Sequence, residues 1–184
     1  MVNNMDRDAY NFYEDLPNYS YNCISHLMEN NETIWKLLKY PEADAWNRSN
    51  LTQAQKGDLI WKGVGNSSKF RVFIDEGIPD VEMDEVTILR ITPYSIIPDN
   101  RTTGTVILLM EAYSHFDINT LSNYTTRIDT IIQQLIETFN GAVINGIGRL
   151  HFDRLGSRES KAELGGQIPF KGKWMLMGNK SARS

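Results

Sequence analysis

The chain has 184 residues, a formal net charge of -4, 41% hydrophobic and 23% charged residues, and one cysteine, Cys23. That length is about one domain and can bury a core without metal or disulfides. The acidic balance argues against a protein that grips nucleic acid over its whole surface. A single cysteine excludes an internal disulfide framework, and no apolar run reaches the ~20 residues of a membrane-spanning helix.

Residues 1–20 are polar and aromatic, with Tyr10, Phe12, Tyr13 and Tyr19 among Asn and Asp. They show no helical period and read as an arm that orders on a neighbour, its aromatics serving as anchors. They also lack the basic and apolar segments of a signal peptide, so none is expected. The many Asn-x-Ser/Thr sequons then follow from an asparagine-rich composition.

A single domain is predicted over residues 21–178, with a short tail at 179–184. A helix is predicted over 21–29. Asn31 caps a second over 32–40, where Ile34, Leu37 and Leu38 make one apolar face and Pro41 ends it. Thr52 caps a short helix over 53–62, ended by Gly63 and Gly65. Residues 70–74 alternate as a short strand.

A long strand pair, 86–97 and 105–115, follows, rich in β-branched residues. Pro93 marks an edge or a bulge. The connection 98–104 is polar and longer than a tight hairpin needs, so its Arg101 is a candidate contact residue. The strongest helical pattern lies in 119–140: Ile128, Ile131, Ile132, Leu135, Ile136 and Phe139 form one face, and Arg127, Asp129, Gln133, Gln134 and Glu137 the other. Gly141 suits the position after its end. Strands at 147–155 and 170–177 complete the domain. The polar stretch 156–163 between them is expected to project, which makes Arg158 and Lys161 candidate contacts. Residues 179–184 have nothing to bury.

His115-Phe116-Asp117 and His151-Phe152-Asp153 each place an imidazole and a carboxylate on one side of a strand, and two such pairs could hold a metal. Strand-end residues facing solvent or capping the next helix explain them more simply, so no metal or cofactor is expected. Cys23 has no basic neighbour and reads as an inert packed thiol. The glycines of 140–148 follow a helix and precede a strand, the reverse of a phosphate-cradling loop. The basic residues of the last third are mixed with acids and read as a salt-bridging or subunit-contacting surface. The four tryptophans are too scattered for a stacking platform.

Some of these residues carry a resemblance. Asn31-Glu32-Thr33-Ile34-Trp35-Lys36-Leu37-Leu38-Lys39-Tyr40, then Asp44-Ala45, Asn50-Leu51-Thr52, Arg127-Ile128-Asp129, Phe139-Asn140-Gly141, Gly146-Ile147-Gly148-Arg149-Leu150 and Phe170-Lys171-Gly172 resemble small neck proteins of tailed bacteriophages. The β-β-α-β-β order is similar to that of tail-terminator and head–tail joining proteins, including neck-ring proteins of crAss-like phages. The resemblance spans roughly residues 30–178.

It implies an α+β fold: an antiparallel or mixed sheet with one long packed helix and short N-terminal helices. It also implies a structural virion protein made in the bacterial cytoplasm, not an enzyme. The protein would form a hexameric or dodecameric ring in the neck, touching portal or connector and tail proteins. DNA would pass through its channel without sequence-specific binding, and no membrane would be involved. Tyr10, Phe12, Tyr13, Arg101, Arg158 and Lys161 are the contact candidates, chosen by expected exposure. The alternatives are an assembly adaptor or chaperone absent from the particle, and a small metal-dependent enzyme using His115, Asp117, His151 and Asp153.

Overall fold

The computed structural model describes residues 16–63, 69–74, 85–99, 104–159 and 170–179. The helices are α1 (Tyr19–Asn30), α2 (Glu32–Lys39), α3 (Gln53–Gly57) and α4 (Arg127–Phe139). The strands are β1 (Val72–Phe73), β2 (Thr87–Pro98), β3 (Gly104–His115), β4 (Val143–Ile144), β5 (Gly148–Arg149), β6 (His151–Glu159) and β7 (Phe170–Gly178). Five strands form one mixed sheet in the order β1-β2-β3-β7-β6, antiparallel except for β1 against β2. β4 and β5 form a separate two-stranded hairpin. The fold is α+β with a mixed sheet.

Three helices cover one face of the sheet. Cys23, Ile24 and Leu27 of α1, Ile34, Trp35 and Leu38 of α2, and Ile131, Leu135 and Phe139 of α4 share a core with Leu89, Ile91, Leu108, Met110, Met175 and Met177. Alternation along each strand sends the intervening side chains to the second face. There Phe73, Val86, Ile88, Tyr113 and Phe170 form a smaller cluster, joined by Trp61 and Phe70 from the segment leading into β1. Pro93 sits at a register shift between β2 and β3, the bulge its missing N–H calls for.

Several boundaries differ from the sequence expectation for physical reasons. α1 begins at Tyr19, whose side chain is fully buried, so the last residues of the expected arm belong to the body. α3 stops at Gly57, where glycine weakens the helix. Leu59 and Trp61 then bond to Arg71 and Val72 as extended chain.

α4 starts eight residues later than its pattern suggested. Residues 120–126 instead close a tight loop through a bridge between Thr120 and Thr126. Thr126 caps the helix by accepting from Asp129 N. Arg127 falls on the polar face of the helical pattern, yet it is fully buried.

The stretch predicted as one strand from 147 splits into β5 and β6, and β6 runs on to Glu159. Residues 156–159 are therefore strand and not projecting loop. Asn179, expected to bury nothing, accepts from Val106 N through Oδ1 and donates from Nδ2 to Gly104 O and Ile147 O, each at 3.0 Å.

Candidate functional site

The sequence candidates fare unevenly. Tyr10, Phe12, Tyr13, Arg101 and Lys161 lie outside the described residues. Arg158 is in β6, opposite Gly172 of β7, so its backbone belongs to the sheet and not to a loop. The His–Asp pairs are not brought together. His115 lies opposite Phe170 at one end of β7 and His151 opposite Gly178 at the other. Eight residues of strand separate them by about 26 Å, so a shared four-ligand site is not formed. His115 instead accepts from Asp117 N at 3.3 Å and packs edge-on against Phe170. Among the described residues no cluster of three or more metal-ligating side chains occurs.

Most basic side chains of the last third that are described are engaged locally. Lys173 pairs with Asp129 of α4, and Arg154 with Asp153. Arg149 donates to Gly141 O, and the Lys171 ammonium lies 5.0 Å over the Phe116 ring. Burial raises the Asp129 carboxyl, but hydrogen bonds from Lys173 and Thr126 outweigh it and hold the group below its usual range. Cys23 is buried in α1, and desolvation pushes its thiol up to about 12. It is an inert packing residue.

The chemistry the sequence did not reveal is internal. Arg127 places all five guanidinium N–H groups on backbone carbonyls: Ile118, Leu37, Tyr40, Pro41 and Glu42, at 2.7–2.9 Å. Burial lowers its pKa to about 10 against the opposing pull of Glu42. The carbonyls at the end of α2 are the negative pole of that helix, so the charge sits where the dipole favours it. Nothing in helical periodicity foretold this. Only the position of Arg127, at the start of α4 after a polar loop, hinted at it.

Asn31 ties the same layer. It caps α2 by accepting from Ile34 N at 2.9 Å and donates to Gln134 and Thr138 of α4. Lys56 is buried, bonding Met28 O at 2.7 Å and Glu32. On the second face a row crosses the whole sheet: Phe73, Arg90, Glu111, Trp174 and Gly156. Glu111 is fully buried and holds Arg90 and the Tyr113 hydroxyl.

Two surface features remain, at opposite ends of α4. Before its N-terminus, Tyr124 has φ of 63° and is 93% exposed. Its loop is tightly braced. Tyr124 N bonds Leu121 O, Leu121 N bonds Thr125 O, and Ser122 N bonds Ala43 O, each at 2.9 Å. Asn123 Oδ1 accepts from both N and Oγ1 of Thr125, and Trp46 Nε1 donates to Ser122. Beyond the C-terminus of α4, a groove of about 310 Å³ opens between α1 and the β4–β5 hairpin. Its walls include Asn22, Ser25, His26, Glu29, Val143 and Asn145. Asn22 donates to Asn145 O at 3.0 Å, and the His26 ring packs on Phe139.

The model of the YomW family matches residues 31–163, well over half of the chain. The chain belongs to the YomW family. This is a phage-derived family. The YomW match opens on the Asn31 cap and takes in the Arg127 clamp, the Tyr124 loop and both walls of the α2–α4 contact. It ends before β7. No curated protein matches the chain. No helix among the described residues is long and apolar enough to cross a membrane.

Proposed function

We propose that this YomW-family protein is a structural subunit of a phage particle. It forms a ring in the neck, as a tail terminator or head–tail joining protein, between portal or connector and tail. Its work is docking, with no bond made or broken, and DNA passes its channel without sequence-specific contact. The observation that carries the reading is the architecture. β2 and β3 precede α4, β6 and β7 follow it, and α4 packs on one sheet face. That is the order the resemblance to neck proteins implies, in a chain of a phage-derived family.

Mass spectrometry of purified particles, paired with imaging of the neck by an antibody to this chain, tests it. Presence at a fixed multiple per particle, with label at the head–tail junction, supports the ring. Presence in infected cells but absence from finished particles replaces it with an assembly adaptor. Light scattering on the purified chain adds the ring's symmetry.

A further inference from the structure

We propose that Tyr124 of one copy seats in the groove between α1 and the β4–β5 hairpin of a second copy. The inference rests on the ring reading above and names one contact that would build the ring. Three observations carry it.

The first is the backbone of Tyr124. A bulky residue at φ of 63° is an outlier, since Asn or Gly adopts that region at less cost. The side chain gains nothing at home, being 93% exposed. Strain of this kind clusters where a side chain is held out for a partner. The bracing by Leu121, Asn123, Thr125 and Ala43 fixes the loop beforehand, so docking gives up little conformational freedom.

The second is the chemistry of the groove. A phenol needs an apolar wall for its ring and an acceptor for its hydroxyl. Val143 supplies the wall, 63% exposed although apolar, and Glu29, which lines the same groove, supplies a carboxylate acceptor. The volume of about 310 Å³ lies at the lower end of the range for ligand pockets and suits one aromatic side chain.

The third is placement. Knob and groove flank the 13-residue helix α4, about 20 Å apart, so one chain cannot satisfy both within itself. A contact joining two different surfaces repeats head to tail and closes into a ring when its rotation allows. The sheet edges do not offer an easier route. Beyond its two-residue pairing with β1, β2 carries Pro93 at a bulge, and the outer strand β6 shifts register between Phe152 and Arg154, devices that blunt strand addition.

The test is disulfide trapping in the full chain. Cys23 is buried and unreactive, so it stays silent. A Tyr124→Cys/Val143→Cys variant is oxidised at high concentration. Head-to-tail seating yields a ladder of linked trimers and larger species, at least tenfold faster than the control pair Tyr124→Cys/Tyr94→Cys. A single-cysteine variant can reach only dimers. A ladder no faster than the control overturns the proposal.

Tyr124→Asn, which suits the same backbone, is expected to raise the melting temperature of the isolated chain at low concentration while lowering the mass of the assembled species at high concentration. Rings of unchanged mass in Tyr124→Asn also overturn this contact and leave the ring reading standing. Loss of Tyr124→Asn chain from particles without a ladder assigns Tyr124 to a different protein and overturns the second-copy partner. Absence of the chain from particles defeats the ring reading by its own test.

Discussion

Arg127 shows how one side chain can replace a small core. Five carbonyls from α2, the loop after it and the turn before α4 converge on one planar cation, and of these the Glu42 carbonyl also accepts from Ala45 N. Arg127→Leu is expected to cost about 3–5 kcal/mol, since removing one member of a buried polar set strands the rest. Urea unfolding checks this through a lower midpoint. Arg127→Lys, with three donors for five acceptors, should recover only part of the loss.

Tyr124 points the other way. Tyr124→Asn relieves a strained backbone and is expected to stabilise the isolated chain by about 1 kcal/mol, read as a higher midpoint. Cys23 gives a pH signature. Its folded pKa of about 12 exceeds the unfolded value of 9.0, so the unfolded chain loses the proton first. The stability this group contributes is therefore whole below pH 9 and falls as pH rises toward 12, by at most about 1.4 kcal/mol per pH unit. The difference in unfolding free energy between wild type and Cys23→Ala should shrink over that interval.

At the scale of elements, the sequence was most legible where one apolar face decides the structure. The stripe of Ile131, Leu135 and Phe139 and the caps at Asn31 and Thr52 could be read directly, because period and cap chemistry are local. It was least legible where distant partners decide. Residues 120–126 carry no helix-forbidding residue, yet Thr120 pairs with Thr126 and Asn119 accepts from Ile128 N to end the loop. Arg127 reads as a polar-face residue until four of the five carbonyls it serves, 85 to 90 positions away, are known. Asn179 reads as tail until Gly104 and Ile147 are seen beside it. Docking residues have no such local rule behind them, and the Tyr124 loop is hidden in the sequence inside a stretch that reads as helix.

Gly156 offers a test at this level. A Cβ there would lie 2.4 Å from the Trp174 indole, so Gly156→Ala must swing the ring or shift β6. A cost of about 1–3 kcal/mol is expected, with a change in tryptophan emission as the ring leaves its seat.

For the whole molecule, the order β1-β2-β3-β7-β6 has a consequence for the moment of birth. The strand lying between β3 and β6 is synthesised after both of them. Until it is made, β6 has no sheet to join and the row from Arg90 to Gly156 is interrupted in the middle. Such long-range pairing is slow and pays its loop-closure entropy before any contact rewards it. A chain ended after Glu159 should therefore lack the near-ultraviolet circular dichroism of the full protein. On the ribosome, this ordering acts as a timer. The α2–α4 layer can gather early, but the finished sheet waits for β7.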